Sequence, residues 1–313
     1  PGPAVGKLVP KVKTTAMILY GIYVVFTVIE IIALLIAGMP LFDSMTLTFG
    51  TVGTGGFGLL NSSIASYSTA VQIIITVFMI ICSINFTVYY MFLIKRPKEA
   101  LMCEEMRYYL LIVFGSALLI AFNIRASFAS FGKAFQQAIF QVASVISTTG
   151  FATADFNLWP EFSRMILVLL MFVGACAGST GGGFKVSRLI IMVKSVRNEI
   201  MSVTHPRSVQ KVHMDGRRIP DNVVKTVLCY LAGYVVILIV SVLLISLDNF
   251  DMTTNFTAVM ATFNNVGPGL NRVGPTGNFG GFSVLSKLVL MFDMLVGRLE
   301  LYPMLVIFAP GLW

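Results

Sequence analysis

Charge is scarce in this 313-residue chain: 12% of its residues are Asp, Glu, Lys or Arg, where soluble domains average about 25%. Half the usual charge cannot clothe a water-facing surface, which excludes the two soluble domains that the length alone would suggest. Histidine is scarcer still, with two residues, and the four cysteines (Cys82, Cys103, Cys176, Cys229) form no CxxC pair or Cys/His cluster. A zinc site and a disulfide framework are therefore unsupported. Acidic residues number 14 against 22 basic, a net charge of +8. Such an excess raises nucleic-acid binding as a function, but apolar runs as long as a bilayer set it aside, and no nucleic-acid partner is expected. Residue 1 is Pro rather than Met and no signal-peptide pattern precedes the first apolar run, so the chain reads as a piece of something longer.

What is abundant is apolar: 57% of residues are hydrophobic and the mean hydropathy is +0.86. Crossing a hydrocarbon core takes about 20 helical residues. Six runs approach or exceed that, at residues 14–38, 68–94, 107–123, 161–192, 222–247 and 283–308. The third is short enough that it should stand upright or thin the bilayer locally. Half-length apolar segments at 40–60, 131–156 and 250–271 lie between members of alternating pairs, and each ends in a Gly/Thr/Asn cluster. The order is span, half-span, span, three times over, an internal repeat of irregular spacing. Amphipathic surface helices are the alternative, but the half-spans lack the Lys/Arg-rich face such helices use.

The basic residues orient the chain. Lys7, Lys11 and Lys13 precede the first span; Lys95, Arg96, Lys98 and Arg107 separate the first two repeats. Lys185, Arg188, Lys194, Arg197, Arg207, Lys211, Arg217, Arg218 and Lys225 separate the next two, whereas the half-span side holds Arg125, Lys133 and Arg272. By the positive-inside rule the inter-repeat loops and both termini are cytoplasmic and the half-spans enter from outside. The basic stretch 185–225 then needs no explanation beyond topology and contact with lipid headgroups. His205 and His213 read as loop residues.

The half-spans close on Thr54-Gly55-Gly56, Thr148-Thr149-Gly150 and Asn265-Val266-Gly267. One Gly/Thr cluster can be a mere turn. Three at equivalent places point to a filter: non-helical backbone at membrane depth must be buried in protein or line a water-filled cavity. Glycine reaches positive φ without penalty, so successive carbonyls can turn to a common axis, and rings of carbonyls replace the water shell of an alkali cation. A short helix aiming its C-terminal end at that ring adds partial negative charge. Gly53 and Gly56 leave the first register open; Gly56 is favoured because Gly56-Phe57 then matches Gly150-Phe151.

Gly174, Gly178, Gly181, Gly182 and Gly183 interrupt the fourth span. Each interior glycine costs a helix about 1 kcal/mol relative to Ala, so a break is expected after about 13 helical residues, roughly 20 Å into the membrane. The stretch through Lys185 is a candidate gate, or else a kink that permits close helix packing. It is not a phosphate loop, because Phe184 intervenes before Lys185 and no strand leads in. Arg298 lies deep in the last span, where ionisable residues face a bundle interior or an aqueous cavity. A structural ion pair, with Glu30 as a candidate partner, is one reading.

These closing segments, the stretch Gly174-Ala-Cys-Ala-Gly-Ser-Thr-Gly-Gly-Gly-Phe-Lys185 and the ending Gly297-Arg-Leu-Glu-Leu-Tyr-Pro303 resemble the pore subunit of bacterial Trk-type potassium uptake systems, the TrkH/KtrB/HKT superfamily. The resemblance implies an all-α integral membrane fold of four span–pore-loop–span repeats with pseudo-fourfold symmetry. Three are present here: 1–106, 107–205 with the glycine-broken second span, and 206–313. Three quadrants do not close a fourfold ring, so this sequence by itself is not expected to conduct selectively. It further implies K+ as transported ion at the filter residues, no cofactor and no enzymatic activity. Residues 174–185 would obstruct the pore beneath the filter, and Arg298 would project into it as an electrostatic barrier. The expected partners are membrane lipid, a cytosolic nucleotide-binding regulatory subunit of the TrkA/KtrA type and a second protomer, in the bacterial inner membrane. A sodium-permeable relative and a truncated, non-conducting subunit are the alternatives.

Overall fold

The computed structural model describes residues 12–205 and 210–306. Lys7, Lys11 and Arg207 of the basic loops, and the last residues of the sixth apolar run, lie outside the described residues. In chain order the helices are α1 (Val12–Ile36), α2 (Leu41–Val52), α3 (Thr69–Cys82), α4 (Phe86–Leu93) and α5 (Pro97–Met102), then α6 (Glu104–Ile124), α7 (Phe131–Ile146), α8 (Glu161–Val173) and α9 (Val186–Thr204). A hairpin of β1 (His213–Met214) and β2 (Arg217–Arg218) precedes α10 (Asp221–Ile245), α11 (Met252–Phe263), α12 (Val284–Leu299) and α13 (Leu301–Val306). The hairpin is antiparallel, with His213 opposite Arg218. Its turn is Asp215-Gly216, both at positive φ (51° and 72°), the geometry that two-residue hairpin loops require.

A break is expected in the fourth apolar run alone, but three of the six runs are broken. Among the described residues three helices are long and apolar enough to cross a membrane: α1, α6 and α10. Only 22–28% of the residues in their most apolar stretches are buried, so most side chains face outward, as lipid allows. The other three apolar runs are broken helices. α3 and α4 are bent by 87° at Ser83-Ile84-Asn85. There Asn85 caps α4 by accepting the Thr87 N–H at 2.9 Å, a side-chain alternative to continued helix. α8 and α9 are separated by the glycine loop 174–185. α12 stops at Glu300, whose φ is +68°. Pro303 explains that break: it cannot donate to the carbonyl four residues back, and its ring is tolerated only in a first turn, so a new helix starts at Leu301.

The third run also differs from expectation. It extends to 21 residues, because Glu104 and Glu105, which hydropathy discounts, belong to its first turn. Acidic residues suit a helix N-terminus, and the Glu104 N–H donates to the Asp215 carboxylate at 2.7 Å.

Between each unbroken helix and the broken one after it sits a short helix: α2, α7 or α11, of 12, 16 and 12 residues. At 1.5 Å per residue they are about 18–24 Å long, roughly half to three quarters of a hydrocarbon core. Ser130 and Asp251 cap two of them by accepting the Lys133 and Thr254 N–H groups. Their C-terminal halves are almost wholly buried; Val142 through Ile146 and Ala258 through Ala261 lie inside the protein. An aromatic group of Phe184, Tyr234 and Phe263 packs the glycine loop's exit against α10 and α11.

Candidate functional site

The three short helices end alike. The carbonyl of Gly50 accepts the N–H groups of both Gly55 (2.8 Å) and Gly56 (3.1 Å). Ser144 does the same for Thr149 (3.0 Å) and Gly150 (3.3 Å), and Ala261 for Val266 (2.8 Å) and Gly267 (3.4 Å). In each, φ is positive at the first and third residue of the closing triplet: Thr54 (52°) and Gly56 (67°), Thr148 (60°) and Gly150 (88°), Asn265 (57°) and Gly267 (103°). Gly53, by contrast, is in the right-handed region at φ −79°. Left-handed backbone closing a helix satisfies its orphan carbonyls. Three non-glycine residues held there mark strain that the surroundings must support.

Those surroundings are polar and buried. Thr54, Thr148, Thr149, Asn264 and Val266 are buried. Ser144 Oγ donates to the Phe151 carbonyl at 2.5 Å, and the Ser147 and Thr149 hydroxyls lie 2.7 Å apart. Asn265 Nδ2 donates to the Met294 carbonyl at 3.2 Å, tying the third segment to α12. The segments also touch in sequence. A Cβ on Gly56 would fall 1.7 Å from the Thr149 carbonyl oxygen, and one on Gly150 would fall 2.1 Å from that of Val266. Gly56 and Gly150 thus each lie flat against the carbonyl that precedes the next triplet glycine, whereas a Cβ on Gly267 would meet nothing within 4 Å.

The glycine loop lies against all three segments. Its Thr180 carbonyl accepts from Thr54 Oγ1 at 2.9 Å and from Arg298 Nη1 at 3.2 Å. The Gly182 N–H donates to Thr148 Oγ1 at 2.6 Å. A Cβ on Gly182 would sit 2.7 Å from the Asn264 carbonyl, so only a bare backbone fits. Gly174, Gly178 and Gly183 adopt positive φ, whereas Gly181 is needed for space, a Cβ there lying 2.4 Å from that of Ala175. Lys185 turns back to donate its ammonium to the Gly181 carbonyl. The loop's outer arm pairs with the break in the second apolar run: Cys176 N–H to Ser83 O (3.0 Å), Phe86 N–H to Gly178 O (3.1 Å) and Thr180 Oγ1 to Cys82 O (3.2 Å).

Arg298 reaches this loop and not Glu30. Glu30 is fully buried on α1, and neither of its oxygens has a hydrogen-bond partner among the described residues. The charges near Arg298 in sequence are engaged elsewhere. Asp293 accepts from Ser241 Oγ at 2.8 Å. Glu300 pairs with Arg188 at 2.6 Å, and that guanidinium also stacks 4.0 Å over Tyr230. Gly297 admits the close approach that places Arg298: a Cβ there would collide with the Phe263 carbonyl at 1.8 Å.

Sequence reasoning missed several residues that build this site. Glu105, buried at the start of α6, accepts hydrogen bonds from the loop. Ser83 and Phe86 hold its outer arm through their backbone, and Arg188 with Glu300 ties α9 to the break in the last span. A carboxylate at the edge of an apolar run was the one available signal for Glu105; long-range backbone pairing leaves none.

The family of cation transport proteins described as TrkH matches residues 4–312 of the chain. The Trk system potassium uptake protein TrkH of Salmonella typhimurium is 35% identical over 321 residues, covering all of this chain and 65% of that protein. Trk system potassium uptake protein TrkG of Escherichia coli is 30% identical over 317 residues, with the same two coverages. The chain thus spans about two thirds, 65%, of the length of these curated relatives. The crystal structure of the potassium transporter TrkH from Vibrio parahaemolyticus superposes with a TM-score of 0.90 at 33% identity, over 99% of this chain and 67% of that one.

Proposed function

Because the chain belongs to the TrkH family of cation transport proteins, we propose that it builds three sides of a potassium pore in a bacterial inner membrane. The observation that carries this is the recurrence of one backbone trace at Thr54–Gly56, Thr148–Gly150 and Asn265–Gly267, with Gly56 and Gly150 each against the next segment's carbonyl. Alternating φ signs turn successive carbonyls toward one side, as a dehydrated cation requires. The short helices α2, α7 and α11 present their C-terminal ends to these carbonyls, adding about half a negative charge each. The short helices enter from outside and the basic loops face the cytoplasm.

Residues 174–185 act as the gate. The loop occupies the inner side of the three segments and is hydrogen-bonded to the first two, so ions that pass the filter meet backbone rather than water. Arg298, bonded to the same carbonyl as Thr54, places a positive charge beside the path of a cation and raises the barrier to passage. A cytosolic nucleotide-binding subunit acting on the basic face, and pairing of two protomers, complete the assembly that the family resemblance implies.

Growth of a potassium-uptake-deficient strain on low potassium, rescued by the full-length protein, tests the function. Rescue is expected, and it should fail when the three triplets are replaced by alanine. Rescue of sodium-limited rather than potassium-limited transport would reassign the ion. Deleting Gly178–Gly183 should raise basal potassium flux; unchanged flux in correctly inserted protein would remove the gate from the mechanism.

A further inference from the structure

We infer that Glu105 is the positioning residue of the gate: its carboxyl group locks the glycine loop to the helix that follows it, so the loop moves only when α9 moves against α6. This inference rests on the reading of residues 174–185 as a gate.

Glu105 is 3% exposed in the first turn of α6. Its Oε1 accepts two backbone hydrogen bonds, from Ala177 N–H at 2.7 Å and from Ser187 N–H at 3.1 Å. Ala177 lies on the loop's outer arm. Ser187 is the second residue of α9, where N–H groups have no partner within the helix. One oxygen from a third element therefore joins the way into the loop to the helix that leaves it, and supplies the cap that α9 lacks, Lys185 offering no side-chain cap.

The neighbouring contacts extend the grip toward the cytoplasm. Glu104 pairs with the Lys194 ammonium, which lies seven residues beyond Ser187, about two helical turns. Lys194 also donates to the His213 carbonyl at 2.7 Å in the hairpin, and the hairpin's Asp215 takes the Glu104 N–H. The first turn of α6 thus holds α9 at two levels and is itself held by the cytoplasmic hairpin. A displacement of α9 must break the Glu105 contacts or carry Ala177 with it. Motion of α9 also reaches the loop's exit through the chain at Lys185 and the Val186 N–H bond to the Ala175 carbonyl (3.1 Å), and the Glu105 carboxyl group decides whether Ala177 follows it or stays with α6. The loop's other arm bears on Thr148 and Asn264, so release of Ala177 frees the backbone that lies beneath the filter.

Potassium efflux from liposomes containing the full-length protein tests the assignment. Losing two hydrogen bonds of this kind shifts the open population by about tenfold. Glu105→Ala should therefore raise basal efflux about tenfold while leaving the half-saturating potassium concentration unchanged, because the filter itself is untouched. Glu105→Gln, which keeps an acceptor oxygen in place, should stay within about twofold of the unaltered protein. In a chain lacking Gly178–Gly183, Glu105→Ala should add nothing further. Should Glu105→Ala fail to insert, Glu105→Asp withdraws the oxygen by one methylene and carries the same expectation. There the readout is Cys176, fully buried beside Ala177, with the other three cysteines replaced by serine: its thiol should become reactive to a water-soluble reagent. Wild-type efflux and an unreactive Cys176, with the loop deletion still raising flux, would overturn the role of Glu105 and leave the gate standing. A loop deletion without effect would overturn both.

Discussion

Replacing Gly56 by alanine adds one methyl group at the most crowded point of the proposed filter. The backbone there has φ +67°, and holding an L-residue in that region costs roughly 1–2 kcal/mol. The added carbon would fall 1.7 Å from the Thr149 carbonyl oxygen and 2.8 Å from its carbon. An unbonded carbon and oxygen sit about 3.3 Å apart at closest, so one segment must retreat by about 1.5 Å. Overpacking of this kind costs about 1–3 kcal/mol, which together with the strained φ gives roughly 2–5 kcal/mol. The functional loss should be greater than the loss of stability suggests. A retreat of that size is about three times the ~0.5 Å within which a working site must be held, and the group displaced is one of the proposed ion ligands.

Gly115→Ala is the control, because a Cβ there meets nothing within 4 Å and the residue is helical; it should be neutral or stabilising by up to about 1 kcal/mol. Potassium uptake in competition with sodium, normalised to membrane-inserted protein, reads the difference. Gly56→Ala should abolish potassium preference while much of the protein still inserts, and Gly115→Ala should match the parent. Retained potassium preference in Gly56→Ala would refute the placement of Thr149's carbonyl in the ion path.

Arg298→Gln should raise flux on the order of tenfold, the effect of about 1.4 kcal/mol removed from a barrier, with little change in folded yield; loss of folded protein without faster flux would make the arginine a structural group. Asp251 caps α11 and is held below the ordinary aspartate range, first by the Thr254 hydroxyl at 2.6 Å and then by the Thr254 N–H at 2.9 Å, with Asn271 Nδ2 at 2.8 Å. A lowered folded value means its contribution is fully present above the unfolded value near about 4 and is lost as pH falls through the folded one. Thermal unfolding in detergent should therefore show Asp251→Ala about 1 kcal/mol less stable at neutral pH, with the difference shrinking as pH falls below the unfolded aspartate value.

Much of this architecture is legible from composition and spacing, because the membrane imposes simple rules. The Gly/Thr/Asn clusters end short helices where the half-spans stop, and five glycines in ten residues do break the fourth apolar run. What escaped the reading is instructive in its physics. The bend at Ser83-Ile84-Asn85 sits inside an unbroken apolar run, and hydropathy averages across it. A helix can afford that bend in lipid only if its freed backbone groups find partners. They do so about 90 residues away, in the very loop whose glycines were legible: Cys176 to Ser83, Gly178 to Phe86, Thr180 to Cys82. Neither interruption is satisfied alone. The glycine loop supplies donors and acceptors because its own helix is broken, and the second apolar run is broken because the loop needs them. An interruption in a membrane span therefore needs partners for its freed backbone groups, here a complementary interruption, and Ser-Ile-Asn, a local helix cap within an apolar run, is the weaker but readable half of this pair. Glu105 follows from the same rule, since a loop donor, the Ala177 N–H, and a helix-start donor, the Ser187 N–H, converge on a single carboxyl oxygen that no periodicity could reveal.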